Sequence, residues 1–290
     1  MKTADDMGPT IRFPTQSGSF YSSDEESLIN QINRCFLHEL GPRKLPKVRK
    51  DSSCDLIGLV CPHAGYMFSG PIAAHSYYAL ASNCKPETVI ILGPNHTGYG
   101  SAISIMTEGF WQTPLGNVEI DSKIANVIAN KSQIIDVDEL AHQFEHSIEV
   151  QLPFLQYLYG SDFKFVPICF QLQDLTTILE IGKILTKLLV SDKVIIIASS
   201  DMTHYQPQKI VVEQDLEALK AVEKLDEKRF YHILESRGIS ACGYGPIATL
   251  IAVTNELKGK EAKLLCYKTS GDISGDYSSV VGYAAMSFKK

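Results

Sequence analysis

The sequence has no long hydrophobic run, and this absence excludes a membrane-spanning protein. No stretch reaches the ~18 consecutive apolar residues that a transmembrane helix needs. The first residues include Asp5 and Asp6 and lack the apolar core of a signal peptide. We therefore expect a cytoplasmic protein that has no membrane partner.

Basic residues are also scarce, which argues against a nucleic-acid partner. The 290 residues include 27 Lys and Arg against 33 Asp and Glu, so the net charge is −6. The one dense basic segment, residues 43–50, follows Pro42 and is interrupted by Pro46, which indicates a solvated loop. No basic stripe of the kind that binds a phosphate backbone is present.

The seven cysteines have neither CxxC spacing nor an even number. A disulfide framework or a cysteine-rich zinc site would show such regularity. Because the sequence also has no export signal, we expect reduced thiols, most of them buried and unreactive. A cysteine therefore needs a special setting before a function is assigned to it.

Apolar runs alternate with helical patterns along the chain, which is typical of an α/β fold. Runs without polar alternation indicate strands that are covered on both faces. The predicted strands are Leu56–Cys61, Thr88–Leu92, Ala102–Met106, Phe163–Cys169, Val194–Ala198, Ala262–Tyr267 and Val280–Phe288. The predicted helices are Pro71–Ser82, Ser147–Leu158, Leu175–Val190, Gln214–Lys224, Glu227–Ser236 and Pro246–Leu257. We expect one domain with a central, mostly parallel or mixed sheet flanked by helices, and an antiparallel closing strand within Tyr277–Phe288.

Three of the predicted strands end in a polar turn that contains a histidine. His63 follows the first of these strands, His96 follows the second, and Asp201 and His204 follow the third. In α/β folds the loops at the carboxyl ends of strands converge on one crevice. We therefore expect His63 and His96 to bind a metal ion there. Asp201 and His204 form a candidate acid/base pair, in which the carboxylate orients the imidazole.

A fourth polar turn carries Cys242, just before the helix that Pro246 opens. The dipole at a helix N-terminus favours the thiolate form of a nearby cysteine. The adjacent Gly243 allows the backbone to approach a bound group closely. A thiolate and two neutral imidazoles suit Fe(II), Zn(II) or Cu(I), so we expect Cys242 to complete the metal site.

A competing motif spans residues 142–146, which spell H-x-x-E-H, the inverted zincin pattern. A zinc hydrolase of this type needs both histidines on one face of a helix. The residues that follow indicate that the helix begins near His146, which would leave His142 in the preceding loop and break the pair. Glu145 and His146 are instead expected at the wall of the crevice.

Five motifs together resemble the Memo family, which is named for a mediator of ErbB2-driven cell motility. They are Pro62–Tyr66, Gly93–His96, Glu145–Glu149, Ser199–Asp201 with His204, and Cys242–Gly243 with Pro246. The resemblance runs from about Gly18 to the C-terminus, so we expect one Memo-like domain over residues 1–290. Memo proteins are similar in fold to class III extradiol dioxygenases, and the resemblance implies that fold here.

The resemblance also implies roles for individual residues. In those dioxygenases two histidines and a carboxylate hold non-haem iron, and a further histidine is the acid/base. Carried over, His63 and His96 are the histidine ligands, and Cys242 takes the place of the carboxylate. His204 takes the acid/base position, with Asp201 beside it. The residues expected to line the pocket are Tyr66, Asn95, Glu145, His146 and Gly243.

Three functions follow from these observations. The first is a non-haem iron- or copper-dependent oxidoreductase of unknown substrate, with zinc as another metal that the ligands would accept. Replacing a carboxylate by a thiolate favours softer metals and introduces a ligand that can itself be oxidised. The alternative is a non-catalytic module that recognises a peptide, a phosphopeptide or an anion in the same crevice. The third is the zinc hydrolase.

Overall fold

The apolar runs of the sequence form the strands of a mixed sheet, and the periodic segments between them form helices. The computed structural model describes residues 10–49, 54–189 and 193–290. In chain order, the strands are β1 (Ile11–Arg12), β2 (Leu56–Cys61), β3 (Thr88–Pro94), β4 (Ile103–Ile105), β5 (Phe110–Thr113), β6 (Gly116–Glu119), β7 (Asp136–Val137), β8 (Lys164–Phe170), β9 (Val194–Ser199), β10 (His204–Gln206), β11 (Glu261–Thr269) and β12 (Val280–Lys289). The helices are α1 (Glu25–Leu37), α2 (Gly70–Asn83), α3 (Ser122–Lys131), α4 (Leu152–Tyr159), α5 (Leu175–Thr186), α6 (Gln208–Glu223), α7 (Glu227–Arg237), α8 (Tyr244–Glu256) and α9 (Ser270–Ser274).

The large sheet has the strand order β10-β12-β2-β9-β3-β8-β4-β7, and β11 also pairs with β12. The strands β2, β9, β3 and β8 run parallel to one another. The last strand, β12, is antiparallel to both β2 and β11. These pairings confirm the predicted mixed α/β fold and its antiparallel closing strand. A smaller sheet, β1-β5-β6, pairs the N-terminal strand with a hairpin.

The central strands are buried on both faces, as their continuous apolar runs predict. Every residue of β2, β3 and β9 is buried. Helix α8 packs against β9 and β3, and α2 packs against β2 and β12. Strands without polar alternation are stable only under such two-sided cover, because either face would otherwise expose apolar surface to water.

Two predicted helices begin more than one helical turn away from their predicted first residue. The segment predicted as one helix from Ser147 forms a 3₁₀ turn at Glu149–Gln151, and α4 begins only at Leu152. Pro153 lies in the first turn of α4, where its missing N–H leaves no hydrogen bond unmade. The helix predicted from Gln214 is longer and begins as α6 directly after Pro207.

Several predictions reach beyond the described residues. Val190, the predicted end of α5, lies outside them, and the described helix ends at Thr186. Asp5, Asp6 and Lys50 also lie outside the described ranges. Residues 42–49 form the expected loop. Across the described ranges, none of the helices combines the length and apolar character that crossing a membrane requires.

Cys54 and Cys84 form a disulfide, so the expectation that all seven cysteines are reduced is wrong for this pair. Cys54 lies two residues before β2, and Cys84 directly follows α2. Because α2 packs back against β2, it brings these two ends together, with the Cα atoms 5.1 Å apart. A separation of 30 residues shows no local spacing from which the pairing could be predicted.

The parallel strands also determine where the polar turns meet. The registers of β2, β9 and β3 align Cys61 with Ser199, and Leu92 with Ala198. Their carboxyl ends therefore lie at one edge of the sheet, as expected for the crevice of an α/β fold. The residues that follow these ends include His63, His96 and Asp201.

Candidate metal centre

Three imidazoles meet at the carboxyl edge of the sheet. His63, His96 and His146 each offer a ligand atom, and these atoms all lie within 4.8 Å of one another. The ring centroids are 5.2 Å apart for His63 and His96, 5.3 Å for His63 and His146, and 4.4 Å for His96 and His146. The distances and the imidazole nitrogen donors fit a transition-metal ion. We call these three residues the histidine cluster.

His63 is held from both sides just beyond the end of β2. Its backbone N–H donates to Oδ1 of Asp201 at 2.8 Å. Its Nδ1 lies 2.9 Å from Oγ of Ser199, the last residue of β9. Its Nε2 lies 3.1 Å from Sγ of Cys242. Because the ring is 2% exposed, these contacts fix its orientation.

His96 is oriented by Glu145. Its backbone N–H donates to Oε2 at 2.5 Å, and its Nδ1 donates to Oε1 at 2.9 Å. The bond to the carboxylate leaves Nε2 of His96 to coordinate a metal ion, the usual arrangement of a metal-binding histidine. The strand end that precedes His96 lies close to the segment that follows Glu145. This approach depends on Gly93, since a Cβ there would lie 2.5 Å from Oγ of Ser147.

His146 was expected only at the wall of the pocket, but the structure places it within the histidine cluster. Its ring stacks on His96 and contacts Phe20 at a centroid distance of 5.0 Å. Glu145 also accepts the backbone N–H of His146 and that of Ser147, each at 2.9 Å. One buried carboxylate thus shapes the segment that presents His146. The adjacent Glu145 and His146 in the sequence were the signal from which a ligand at His146 could have been predicted.

Burial keeps His63 and His146 uncharged, whereas hydrogen bonds keep Glu145 ionised despite its burial. Desolvation, with smaller effects from the neighbouring imidazoles, holds the pKa of His63 well below its usual value. Burial likewise lowers the pKa of His146 to about 4. For Glu145, burial alone would raise the pKa, but the hydrogen bond from His96, the electrostatic interactions with His96 and His146, and the backbone N–H of Ser147 lower it to about 2. Near pH 7 the site therefore presents the neutral rings of His63 and His146 together with the negative charge of Glu145, which suits a cation.

Cys242 lies beside the histidine cluster but is not part of the group of mutually close ligand atoms. Its Sγ accepts the backbone N–H of Asp201 at 3.2 Å and lies 3.1 Å from Nε2 of His63. Burial raises the pKa of the thiol. The following Gly243 permits this packing, because a Cβ there would lie 2.2 Å from the carbonyl oxygen of Ser199. The role of Cys242 as a metal ligand stays a prediction.

Asp201 and His204 have different partners in the structure. The carboxylate of Asp201 accepts the backbone N–H of His63, whereas Nδ1 of His204 donates to the carbonyl oxygen of Ser240 at 2.9 Å. Ser240 therefore orients the imidazole in the place predicted for Asp201. Burial raises the pKa of Asp201 to about 7 and lowers that of His204. Their acid/base roles stay predictions.

The other predicted pocket residues have mainly structural contacts. Tyr66 buries its hydroxyl, which donates to the carbonyl oxygen of Val150 at 2.6 Å. The side-chain Oδ1 of Asn95 accepts the backbone N–H groups of Thr97 and Gly98 and shapes the turn that carries His96. These two residues support the walls of the centre.

The H-x-x-E-H segment is not helical as the hydrolase requires. His142 ends the 3₁₀ turn at Leu140–His142, and no helix spans residues 143–148 within this described stretch. The His142 ring is fully buried and packs against Trp111 at a centroid distance of 5.8 Å. The two histidines therefore do not share a helix face, and the zinc hydrolase has no structural support.

Comparisons with known proteins agree with this description. The family model described as Memo-like protein matches residues 12–287. A MEMO1 family protein of Methanopyrus kandleri is 49% identical over 96% of this chain and 99% of its own length. A second, from Sulfolobus acidocaldarius, is 47% identical over 96% of this chain and 99% of its own length. An uncharacterized Escherichia coli protein of known structure has a TM-score of 0.57 at 12% identity, covering 80% of this chain and 99% of its own, which concerns the fold alone. The chain belongs to the Memo family.

Proposed function

We propose that this protein is a metal-dependent oxidoreductase that holds iron or copper at the histidine cluster and acts on a small molecule or peptide. The observation that carries the proposal is the convergence of three imidazoles whose ligand atoms lie within 4.8 Å of one another. Imidazole suits zinc, copper and iron alike, and the sulfur of Cys242 next to His63 favours the softer of these ions. A bound redox metal would supply one-electron chemistry and polarise a substrate oxygen.

The residues of the chain would bind the substrate and move its protons. His96 is the open side of the cluster, with 32% of its side chain exposed. His204 is partly exposed, and its Nδ1–H is fixed by Ser240, so Nε2 is left to accept a proton. Asp201, whose pKa of about 7 lies near neutrality, would hold or release a proton behind His63.

The anion-binding alternative has less support. Neutral imidazoles attract an anion weakly, and the pKa values of His63 and His146 keep both rings neutral near pH 7. The amides at the start of α8 are already used, since Gly243 donates to Ser200 and Gly245 donates to Gln173. The helix N-terminus therefore has fewer free donors for a phosphate.

Metal content tests the proposal directly. Protein purified anaerobically without a polyhistidine tag is expected to contain about one iron or copper ion per chain by elemental analysis. His96→Ala and His146→Ala are each expected to lose most of it, because a three-ligand site does not survive removal of one ligand. His232→Ala, on the exposed side of α7, is the matched control and should keep its metal.

The outcomes separate the hypotheses. Full metal content in both His96→Ala and His146→Ala would show that the metal ion binds elsewhere and would contradict the proposal. Loss of metal in Cys242→Ser would add the sulfur as a fourth ligand. Oxygen uptake by the metal-containing protein with a panel of catechols then tests the oxidoreductase assignment separately from metal binding. A loaded protein that binds phosphotyrosine but consumes no oxygen with any substrate would favour the binding module.

A further inference from the structure

A buried chain of hydrogen bonds runs from α2 to His63. It passes from Tyr77 through Gln151 and Ser199 to the imidazole, and none of the four side chains is more than 2% exposed. Three of them lie on separate elements, since Tyr77 is in α2, Gln151 precedes α4 and Ser199 ends β9. Because all four side chains are buried, the direction of each bond is decided by the neighbouring protein groups.

A backbone carbonyl fixes the direction of the hydrogen bonds at Gln151. Nε2 of Gln151 lies 3.1 Å from the carbonyl oxygen of Pro62 and 2.8 Å from Oγ of Ser199. A carbonyl oxygen only accepts, so the nitrogen of the amide must face Pro62, and its two hydrogens are both used. The hydroxyl of Tyr77 then donates to Oε1 at 2.5 Å. Burial raises the pKa of Tyr77 well above its usual value, so the phenol keeps the proton that it donates.

A second backbone carbonyl fixes the direction at Ser199. Its hydroxyl donates its only hydrogen to the carbonyl oxygen of Ser147 at 2.6 Å. Oγ of Ser199 therefore has only lone pairs left for its other two neighbours, Nε2 of Gln151 and Nδ1 of His63. Nδ1 must carry a hydrogen to make this bond. The lone pair of the neutral ring is then on Nε2, the atom that faces Cys242.

We propose that Ser199 and Gln151 are positioning residues that fix His63 as the Nδ1–H tautomer and so make Nε2 the atom that it offers to a metal ion. The statement that His63 binds a metal ion rests on the proposed function, but the tautomer is a property of the metal-free protein. His96 reaches the same tautomer by another route, because the charged carboxylate of Glu145 accepts its Nδ1–H. The two ligands therefore have a neutral partner and an anionic partner at Nδ1.

The tautomer can be read directly by NMR of metal-free protein labelled with ¹⁵N at histidine. Two-bond ¹H–¹⁵N correlations distinguish a protonated ring nitrogen from one with a lone pair, and the His63 signals are assigned by their loss in His63→Gln. At pH 8 the wild-type protein is expected to show a hydrogen on Nδ1 and none on Nε2. A hydrogen on Nε2 of His63 in the wild-type protein would overturn the proposal without any variant.

Ser199→Ala tests whether the hydroxyl is the cause. The variant is expected to show both tautomers of His63, and to bind Co(II) about 10- to 100-fold more weakly, the range found when a partner of a metal ligand is removed. Ser76→Ala is the matched control, because Ser76 is equally buried and donates to the carbonyl oxygen of Val60 without contacting a histidine. The control should keep the wild-type tautomer and affinity.

The outcomes distinguish this proposal from the proposed function. If the wild-type protein binds no metal but His63 has the Nδ1–H tautomer, the proposed function is contradicted and the positioning role is supported. If a folded Ser199→Ala protein keeps the wild-type tautomer and the wild-type Co(II) affinity, the positioning role is contradicted and the proposed metal site is unaffected. Should that variant not fold, the wild-type spectrum still decides the tautomer.

Discussion

Glu145 is the residue on which most of the candidate centre depends. Its carboxylate accepts four N–H groups: the backbone and Nδ1 of His96, and the backbones of His146 and Ser147. Two of the three imidazoles are thus positioned by one buried side chain. A carboxylate with this number of donors is held ionised despite its burial, because each bond stabilises the charged form.

Glu145→Gln is expected to weaken metal binding about 10- to 100-fold. The amide offers one acceptor oxygen and turns an NH₂ group toward donors, so at least one backbone N–H and the Nδ1–H of His96 lose their partner. Titration with Co(II), followed by its absorption, measures the change. Glu119→Gln is the control, since Glu119 is half exposed and pairs only with Lys164 at the surface. Wild-type affinity in Glu145→Gln would show that the carboxylate has no influence on the centre.

The sequence predicts the histidines at strand ends better than it predicts their partners. His63 and His96 could be placed because each follows a continuous apolar strand, and parallel strands end at one edge. His146 could not, because it follows a 3₁₀ turn and an irregular segment whose shape depends on the buried Glu145. Ser240 could not either, since nothing local relates it to His204 across 36 residues.

At the scale of elements, a buried ion pair attaches the N-terminal segment to the cluster loop. Glu149 accepts Nη1 of Arg12 at 2.6 Å, together with the hydroxyl of Tyr21 at 2.7 Å and groups of Thr15. Arg12 donates in addition to the carbonyl oxygens of His142 and Glu145. Strand β1 and the segment that carries the centre are therefore one hydrogen-bonded unit.

Arg12→Ala is expected to lower the free energy of unfolding by about 3–5 kcal/mol, because it leaves a buried carboxylate without its counter-ion. Urea denaturation at pH 7, followed by circular dichroism, measures the loss. Lys164→Ala removes an exposed pair with Glu119 and should cost about 0–1 kcal/mol. Equal effects of the two substitutions would mean that the buried pair contributes no more than the surface pair.

Long strands and amphipathic helices are the elements that the sequence reveals. The strands β2, β3, β8 and β9 were predictable because their apolar runs are continuous, and β12 because it is long. The strands β1 and β7 have two residues each, too few for a period to be recognised. Helix α1 had a usable signal that the prediction does not include: Asp24 at its N-cap and buried apolar residues at helical spacing.

At the scale of the whole molecule, buried titratable groups outside the centre act on stability in opposite directions. Burial, with the nearby charge of Arg12, lowers the pKa of His142 to about 3. Burial raises the pKa of Asp215 to about 6 although Thr203 and Tyr267 donate to it. Between pH 6 and 4 the folded protein therefore takes up a proton at Asp215 before the unfolded chain does, and acid stabilises it there.

His142 has the opposite effect. Above pH 6.5, the usual pKa of histidine, both states are neutral at this position. As the pH falls below 6.5, the unfolded chain binds a proton and the folded protein, with its pKa of about 3, does not. Stability is therefore lost as the pH falls between these two values. At pH 5 the loss is about 2 kcal/mol, from 1.36 kcal/mol per pH unit.

His142→Phe is expected to remove this loss. Among the described residues neither ring nitrogen of His142 has a hydrogen-bond partner, so an apolar ring should retain most of the stability at pH 8. From pH 8 to pH 5 the free energy of unfolding of metal-free protein should then decrease by about 2 kcal/mol less than in the wild-type protein. His232→Phe, at an exposed position of α7, should follow the wild-type pH dependence. The same decrease in all three proteins would mean that His142 is protonated in the folded state near pH 6, which its complete burial beside Trp111 and the positive charge of Arg12 oppose.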